Sequence, residues 1–573
     1  MSNLLPLTWA FPLPPAVILF VGAVLSLIAP RMVRPFIMVL TPLLGALNLS
    51  LLPENYTTQA VLMGLEVTPT RIDSLSILFG YLFHLAAFIG VIYALHLRDR
   101  LQDMAALAYA ASAVGAVFAG DLLTLFIFWE LLALTSATLI FARRSTRSAQ
   151  AGIRYLIIQI CSGVLLLAGA LIYAQTHKGL AFNHIGLDAP GGLLLFIAFG
   201  IKSAFPLMHN WLTDAYPEST PSGTVFLTAF TTKVAIYALA RGFAGTESLI
   251  YIGAVMACFP IFYAVIENDL RRVLAYSLIN QLGFMVVGIG IGTELAINGA
   301  VAHAFNDVLF KGLLMMSMGA VLHVTGEMRG SELGGLYKKM PKTTMLCIIG
   351  AASISAFPLF SGFVSKSIIV TAVLYENYDL VWLALLFASA GVFHHAGIKI
   401  PFFAFFYKPS KFVDTAHEPP ANMLIAMAIA ATLCIGIGCF PQYLYQHLPY
   451  AIEYSAYDVS HVLAQLQLLA FSALAFTWLK LAEIYPPELK SINLDTEWIY
   501  RKFLPDQIKQ SLNRLSPVDL QTRNNLNQLF NKIIQLLSLH HGSHGLLART
   551  WPTGSMVLWV AALLGLTLTL YYL

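Results

Sequence analysis

Long apolar runs alternate with short polar connections along most of the chain. Each run is about 18 to 25 residues long, which at about 1.5 Å rise per residue matches the hydrocarbon core of a bilayer. We count about sixteen such runs. They begin near Leu13, Pro35, Ser74, Asp103, Leu122, Gln150, Leu193, Ser222, Leu249, Arg271, Ala296, Met345, Leu380, Asn422, Asp458 and Gly554. The pattern predicts an all-α polytopic membrane protein with about sixteen transmembrane helices.

One polar segment, residues 484–552, does not fit lipid. Its prolines are Pro486, Pro487, Pro505 and Pro517, and they argue against one uninterrupted helix. After Pro517 the spacing of apolar residues predicts a helix with a single apolar stripe. The stripe consists of Leu526, Leu529, Phe530, Ile533 and Leu537. We expect this helix to lie along the membrane surface, either packed on its own subunit or bracing a neighbouring one.

Composition and charge support a membrane location. The 573 residues are 58% hydrophobic and 11% charged, too apolar for a water-soluble domain of this size. Arginine and lysine cluster in the connections after odd-numbered helices, as in Arg143, Arg144 and Arg147. The positive-inside rule makes these connections cytoplasmic and places both termini outside. We predict a multi-pass protein of the bacterial inner membrane.

Four charged residues stand in the middle of apolar runs: Glu130, Lys202, Lys233 and Lys366. An ionisable group near the bilayer centre costs about 2.5 to 3.5 kcal/mol on insertion scales, so each of them calls for a function or a partner. A static ion pair that only joins two helices is the alternative for any single one of them. Several such residues in one chain favour proton or cation movement.

A fifth apolar run carries His303, Asp307 and Lys311. Their i, i+4 and i+8 spacing places all three on one face of a helix, which predicts a proton wire. The other intramembrane histidines are interpreted as hydrogen-bonded core or interface residues, with His323 second to His303 as a relay candidate. They are His84, His209, His323, His394 and His395.

A short internal repeat relates two helices. Ser203-Ala-Phe-Pro-Leu207 recurs as Ser355-Ala-Phe-Pro-Leu359, five helices later. An odd offset inverts the topology, and a proline inside a spanning helix frees backbone carbonyls that can face a cavity. The sequence thus predicts inverted five-helix repeats with broken helices, a device of transporters.

These residues resemble the antiporter-like subunits of Mrp-type cation/proton antiporters, respiratory complex I and membrane-bound hydrogenases. The likeness runs from about the third helix to the thirteenth. Its motifs are Phe128-Trp-Glu130, Lys202 with Pro206-Leu-Met-His-Asn-Trp-Leu212, Ala215-Tyr-Pro-Glu-Ser-Thr-Pro-Ser222, Asp269-Leu-Arg-Arg-Val-Leu-Ala-Tyr-Ser277, His303 through Lys311, Leu333-Gly-Gly-Leu336 with Met340-Pro341, and Phe360-Ser-Gly-Phe-Val-Ser-Lys366. Residues 494–501 and 549–555 look more like the D-like branch of Mrp-type antiporters.

The resemblance implies roles for the charged residues. Glu130 would pair with Lys202, Lys233 would bridge to a central relay of His303 and Lys311, and Lys366 would be the terminal gate. Asp307 departs from the family, which often has a second histidine there, and Ser367 stands where some members have an acid. An aspartate in the central wire would hold Lys311 charged or favour a cation over a bare proton.

The predicted organisation follows the same resemblance. It comprises helices 1–3 (1–100), a first antiporter-like half (101–245), a second half (246–411), helices 14–15 (412–483), the connector (484–552) and a last helix (553–573). No Rossmann glycines, haem ligands, iron–sulfur cysteines or metal-site spacings are present in the sequence, so no cofactor or metal is predicted. Any redox chemistry would belong to partner subunits.

Three functions stay open at this point. The first is an Mrp-type antiporter subunit that exchanges sodium for protons, and the second is a proton-pumping subunit of a redox-driven complex. The third is an energising subunit of an inorganic carbon uptake system. All three imply other membrane subunits as partners, the bilayer as solvent, and protons, alone or with Na⁺, as the transported ions; no nucleic acid is expected.

Overall fold

The computed structural model describes residues 13–53, 55–62, 64–177, 179–490, 493, 495–542, 545 and 551–573. The chain is mostly helical, at 74%, as the hydropathy pattern predicts. It divides into two units, Met1–Asn493 and Leu494–Leu573, and each is described by itself below.

The helices of the first unit are numbered in chain order. They are α1 Pro15–Ile28, α2 Arg34–Leu51, α3 Ser74–Ala94, α4 Arg100–Phe118, α5 Leu122–Phe141, α6 Thr146–His177, α7 Gly192–Lys202, α8 Asn210–Ala215, α9 Pro221–Ala229, α10 Thr231–Gly242, α11 Ser248–Ile266, α12 Leu270–Ile291, α13 Glu294–Thr325, α14 Pro341–Ile354, α15 Ser361–Tyr375, α16 Asp379–Val392, α17 Lys399–Pro401, α18 Ala421–Cys439, α19 Gln442–Tyr445 and α20 Val459–Leu481. Two π-helical segments, Phe393–Ile398 and Phe402–Phe406, flank α17. The second unit contains α21 Leu504–His541 and α22 Thr553–Tyr572.

The predicted count of transmembrane passes is confirmed. Within the described residues, thirteen helical spans are long and apolar enough to cross a membrane. The shorter apolar helix α1 adds one pass, and two more are broken passes formed by α7 with α8 and by α14 with α15. The chain is therefore a multi-pass membrane protein with sixteen passes in the part that the structure describes.

A β-hairpin was not foreseen by the sequence analysis. Strands β1 (Thr57–Leu62) and β2 (Leu65–Arg71) pair antiparallel between α2 and α3. Arg71 donates a hydrogen bond of 2.6 Å from Nη2 to the Phe182 carbonyl and so ties the hairpin to the connection before α7. A search for runs of membrane length misses strands this short, because each is only a few residues long.

The inverted repeat is visible in the backbone. Ala204 and Leu207 adopt φ of 62° and 70°, and Ala356 and Leu359, at the same positions of the second copy, adopt 56° and 73°. Left-handed backbone is rare for residues other than glycine. Two segments of one chain that share it at matching positions are copies of one structure, and each copy ends a helix.

A second pair of matching sites supports the same repeat. Asp121 caps α5 and Asp269 caps α12, five passes later, through side-chain bonds to the first backbone N–H groups of each helix. The N–H of the next residue, Leu122 or Leu270, donates to a distant carbonyl in each case. Five-helix inverted repeats are thus present in the fold.

The passes differ in how much of their surface the protein covers. The span Pro221–Gly242 is wholly buried and α12 nearly so, whereas α20 and α22 are largely exposed within their own units. A helix buried on all sides faces protein and not lipid. Polar side chains on α9, α10, α12 and α13 therefore face one another.

The second unit corrects one expectation. Helix α21 runs without interruption from Leu504 to His541, through Pro517, although the prolines argue against such a helix. Proline removes the hydrogen bond to the carbonyl four residues earlier. Here that carbonyl, of Asn513, accepts a bond of 3.3 Å from the Ser516 hydroxyl. The predicted apolar stripe lies in this helix, and its position along a membrane surface stays a prediction.

The break between α14 and α15 generates a test. Gly362 lies in the first turn of α15, and a Cβ there would collide with the Ser353 carbonyl oxygen at the end of α14. We expect Gly362→Ala to lower the midpoint of thermal unfolding. The control is Gly436→Ala on the exposed face of α18, where an added Cβ meets nothing within 4 Å. That change should leave the midpoint unchanged or raise it, because alanine favours helix by about 1 kcal/mol. Equal midpoints for both variants would contradict this view of the break.

Candidate functional site

Lys202 is the last residue of α7 and is completely buried. Its Nζ donates a hydrogen bond of 2.5 Å to the Trp129 carbonyl and lies 4.4 Å from the centre of the Trp129 ring. The indole is held in turn by a 3.0 Å bond from Nε1 to Ser162 on α6. The ammonium therefore rests at the helix break on a carbonyl and an aromatic face.

Glu130 follows Trp129 on α5 and is half-buried. Its carboxylate packs against Gly163 of α6, where a Cβ would collide with Oε1. Oε1 has no hydrogen-bond partner among the described residues, and the carboxylate interacts electrostatically with Lys202. The structure thus brings Glu130 and Lys202 into one neighbourhood, and the ion pair that the resemblance implies stays a prediction.

Lys233 and Asp307 form a direct ion pair in the protein interior. The distance from Lys233 Nζ to Asp307 Oδ2 is 2.6 Å, and both side chains are fully buried. Neither Asp307 oxygen accepts a hydrogen bond from another group in the described part of the chain. The pair joins α10 to α13, and the carboxylate depends on Lys233 for its charge partner.

Lys233 lies just after a break in the helix that the sequence did not predict. Between α9 and α10 the backbone leaves helical geometry at Phe230, with φ −108° and ψ −66°, although neither proline nor glycine is present there. The freed N–H of Thr231 donates to the Tyr109 hydroxyl at 3.1 Å, and the Thr228 carbonyl accepts from Lys233 Nζ at 3.1 Å. Side chains thus replace the missing backbone bonds.

His303 lies between α12 and α15. Nε2 is 3.1 Å from Gln281 Oε1, and Nδ1 is 3.0 Å from the Ser365 hydroxyl. Gln281 donates from Nε2 to Asn280 at 2.6 Å, which presents its oxygen to the ring. In a neutral imidazole Nε2 is then the donor and Nδ1 the acceptor. The ring connects two helices by bonds that a change of protonation would alter.

Lys311 lies two helical turns further along α13 and is fully buried. Its Nζ donates a hydrogen bond of 2.8 Å to the Ser277 hydroxyl on α12, and it interacts electrostatically with Asp307. The ammonium therefore shares Asp307 with Lys233 and has a neutral hydroxyl as its direct partner.

Lys366 on α15 borders a cavity of about 230 Å³. Its Nζ donates a hydrogen bond of 3.3 Å to the Ile354 carbonyl at the end of α14 and lies 4.9 Å from the centre of the Phe284 ring. The cavity is also lined by Thr371 and His461, which are 3.4 Å apart. The terminal lysine of the predicted relay thus faces a space large enough for several water molecules.

The seven predicted residues fall into two groups. His303, Lys233, Lys311 and Lys366 interact electrostatically with one another or with Asp307, and these five form the central group. Glu130 and Lys202 form the other. In the described residues no contact joins Lys202 to Lys233.

Buried hydroxyls from α4, α5 and α6 lie around the start of α10, the helix that carries Lys233. The Tyr155 hydroxyl contacts Ser136 of α5 at 2.8 Å, and the Tyr109 hydroxyl contacts Thr231 at 2.6 Å. Tyr155 also bonds to Thr231. Sequence reasoning missed these groups, together with Ser277, Gln281 and Ser365. The only signal was a polar side chain in an apolar run, and hydroxyls are common there because they bond to their own helix.

The remaining histidines mostly fit the predicted structural role. The Nδ1–H of His84 donates to the Gly80 carbonyl at 2.7 Å, and His323 stacks edge-on against His96 at 4.9 Å between ring centres. His395 differs, because it is fully buried and neither ring nitrogen has a side-chain partner in the described residues.

Two further motifs build one structural joint. The Arg271 guanidinium of the Asp269-Leu-Arg-Arg motif is buried and donates to the carbonyls of Pro217 at 2.9 Å and Ser219 at 3.1 Å. These carbonyls belong to the Ala215–Ser222 motif before α9. An arginine that satisfies several carbonyls fixes a loop where water is scarce. This motif pair positions α9 and α10.

Residues 119–391 match the family model described as NADH:quinone oxidoreductase/Mrp antiporter, transmembrane region. The match begins just before α5, ends within α16 and contains all seven predicted residues. The stretch that carries the candidate site is therefore similar to this antiporter-like family, as its motifs indicate.

Relatives share part of their length with the chain. It is 30% identical over 426 residues to the A component of the Na⁺/H⁺ antiporter of Alkalihalophilus pseudofirmus, covering 65% of this chain and 52% of that protein. It is 26% identical over 420 residues to hydrogenase-4 component B of Escherichia coli, covering 65% of this chain and 62% of that protein. The chain thus spans about half to three fifths of these relatives. The narrower likeness to the D-like branch rests on residues partly outside the described ones and stays a prediction.

Solved structures share the fold. A chain of the Mrp complex from Dietzia sp. DQ12-45-1b superposes with a TM-score of 0.77 at 23% identity, over 92% of this chain and 62% of that one. A chain of the archaeal membrane-bound sulfane sulfur reductase superposes with a TM-score of 0.70 at 21% identity, over 96% and 99%. The membrane antiporter-like fold is therefore established.

The Lys233–Asp307 pair generates a stability prediction. Asp307→Leu leaves a buried ammonium without its counter-charge, and we expect the free energy of unfolding to fall by about 3 to 5 kcal/mol. Adding Lys233→Met should recover much of this loss, because no unpaired charge then remains. Thermal unfolding of the purified protein measures both.

The control for that pair is Lys490→Met, which removes an exposed pair with Glu332 at 2.6 Å. It should cost less than about 1 kcal/mol. An Asp307→Leu protein as stable as this control would show that Lys233 does not need its partner.

Proposed function

We propose that this chain is a proton-translocating membrane subunit of a multisubunit Mrp-type Na⁺/H⁺ antiporter. The observation that carries the proposal is the central group, in which three buried lysines share the single carboxylate of Asp307 and His303 lies within electrostatic range of all three. The names of the relatives reported above, an antiporter component and a hydrogenase component, support transport and not a purely structural role.

The electrostatics of the central group supply a mechanism. In a low-dielectric interior, cations within a few ångströms repel strongly, and one carboxylate neutralises only one of them. Lys233, Lys311 and Lys366 therefore do not all hold a proton at once. Protonation of one lysine promotes release from the next, with His303 and the Ser277 and Ser365 hydroxyls as intermediate hydrogen-bond partners.

The group formed by Glu130 and Lys202 acts as the switch. Lys202 rests on the Trp129 carbonyl, and Glu130 lies close by with a free carboxylate oxygen among the described residues. When the carboxylate approaches the ammonium, Lys202 keeps its proton. When they separate, the proton moves toward Lys233, with the hydroxyls of Tyr109, Tyr155 and Thr231 placed along the way.

Lys366 is the gate to one side of the membrane. It borders the 230 Å³ cavity and is bonded to a carbonyl freed by the break after α14. Discontinuous helices near the membrane midplane serve this purpose in transporters. A half-channel near Lys202 admits protons from the other side, in a bacterial inner membrane with both termini outside.

A redox-driven complex is the second candidate. The chain aligns with nearly the whole of a sulfane sulfur reductase chain, at 99% of its length, and with a hydrogenase component. A proton-pumping subunit of such a complex would use the same site. Copurification separates the two: small membrane subunits alone support the antiporter, and iron–sulfur or flavin subunits support the redox complex.

The site residues generate the main prediction. Glu130→Gln, Lys202→Met and Lys366→Met each remove a charge with little change of shape. In vesicles containing the purified assembly, we expect each to reduce gradient-driven proton movement by about 100-fold or more, since proton transfer loses a donor or acceptor.

Lys338→Met is the matched control, because this exposed lysine lies outside both groups. It should transport at the wild-type rate. Wild-type rates in all three site variants, with the assembly intact, would refute the proposed relay.

Asp307 generates a prediction about ion choice. Asp307→His restores the residue that the family often has at this position and removes the fixed negative charge. If the aspartate favours a cation, the dependence of transport on sodium concentration changes more than the maximal rate. Sodium titration of proton release measures both, and an unchanged sodium dependence would exclude this role.

A further inference from the structure

Lys399 is a fifth buried lysine of the described residues, outside the predicted relay. It begins α17, and its Nζ lies 2.9 Å from Glu488 Oε1. It also donates to the carbonyls of Val265 and Glu267, each at 2.7 Å. These carbonyls end α11, where the last turn has no partners of its own. A complete ring of oxygens therefore holds this ammonium, with one carboxylate among them.

His395 connects this cluster with the central group. It lies one turn before Lys399 in the π-helical segment Phe393–Ile398, and both Lys311 and Lys399 are within electrostatic range of its ring. Neither nitrogen of the buried ring has a hydrogen-bond partner among the described residues. A buried imidazole with an unused nitrogen is costly unless it serves a purpose. Isolated π-helical turns are frequent at functional sites.

The inverted repeat relates this cluster to the Lys233 site. The eighth and thirteenth passes correspond, and both depart from α-helical geometry at a buried lysine. In the eighth pass the break at Phe230 precedes Lys233, which pairs with Asp307. In the thirteenth the π segment precedes Lys399, which pairs with Glu488. Matching passes of the repeat thus each carry one buried lysine that is paired with a carboxylate from another part of the chain.

Glu488 lies beyond the membrane-spanning part of α20, in the polar segment that follows it. Burial raises the pKa of this carboxyl, and the neighbouring Lys399 ammonium acts in the opposite direction. The carboxyl therefore takes up a proton more readily than an exposed glutamate does. Lys480 adds a further positive charge nearby, with its Nζ 5.2 Å from the ring centres of Phe403, Tyr407 and Tyr485.

We propose that Lys311, His395, Lys399 and Glu488 form a second proton branch, which connects the central group to the membrane side opposite the Lys366 cavity. The cavity is lined by His461 and Gln465 in the first turns of α20, whereas Glu488 follows the last turn of that helix. The ammonium of Lys399 gives a proton to the Glu488 carboxylate, leaving an amine and a carboxylic acid. Lys311 then protonates the neutral His395 imidazole, and the imidazolium passes its other ring proton to the Lys399 amine. Each step moves one proton and conserves total charge, and the reverse order brings protons in.

The branch rests on the proposed function, and a static alternative exists. In that alternative, the sole role of the Lys399–Glu488 pair is to hold the segment after α20 against the core. Arginine separates the two, because it keeps the charge and the pairing with Glu488 but does not release a proton at ordinary pH. A static pair accepts Lys399→Arg, and a relay does not.

The test uses the complete purified assembly in sealed vesicles. We expect Lys399→Arg and His395→Gln each to reduce gradient-driven proton movement by about 100-fold or more. The assembly should copurify intact and unfold at an unchanged temperature. His84→Gln is the matched control, because its ring is also buried and donates to the Gly80 carbonyl of its own helix, outside the branch, and transport should be unchanged.

The outcomes are distinguishable from failure of the proposed function. If Lys366→Met stops transport but Lys399→Arg and His395→Gln transport like wild type, the branch is wrong and the central relay stands. If all three transport like wild type, both proposals are wrong. Should Lys399→Arg fail to assemble, His395→Gln and Glu488→Gln decide: loss of transport in both supports the branch, and wild-type transport in either overturns it.

Discussion

The buried carboxylate of Asp307 is the interaction on which the central group depends. In the described part of the chain it is the only acid within electrostatic range of Lys233, Lys311 and Lys366. One negative charge among several basic groups cannot satisfy all of them in a low dielectric. Under the proposed function this imbalance is what allows protons to move, whereas a fully paired set of charges would be fixed.

The fold creates the imbalance by breaking helices where lysines lie. Lys202 ends α7, Lys233 follows the break at Phe230, and Lys366 bonds to a carbonyl freed at the end of α14. A lysine bonded to a neutral carbonyl keeps its position whether it is charged or not. The inverted repeat explains why such breaks recur, since one five-helix design supplies both halves.

Much of this was predictable from the sequence, and the rest failed for identifiable reasons. Long apolar runs and the repeated Ser-Ala-Phe-Pro-Leu motif predicted the passes and two breaks, because proline leaves a visible mark. The break at Phe230 has no such signal in the sequence, because the side chains of Tyr109 and Lys233 form the hydrogen bonds that its backbone groups lose. Helix α21 continues through Pro517 because a serine hydroxyl compensates the lost bond.

The sequence also predicted some residues of the candidate site and missed others. Isolated charges such as Glu130, Lys202 and Lys366 stand out in apolar runs because burying a charge is costly. Lys399 was missed because it lies shortly before the basic residues Lys408 and Lys411, where a lysine near the end of a pass is common. Its partner Glu488 lies in a polar segment, where a glutamate is also common. Tertiary contact alone makes those two a buried pair.

The most direct test of the central claim is whether the environment of the buried carboxylates changes when their lysine partners gain and lose protons. Infrared difference spectra of the assembly in lipid, recorded with and without a driving ion gradient, report the carboxylate stretching bands, whose frequencies depend on the charge of the partner. We predict a shift of these bands on energisation that is absent or altered in Asp307→Asn or Glu130→Gln. Identical carboxylate signals in both states would mean that the lysine partners keep their charge and that protons take another route.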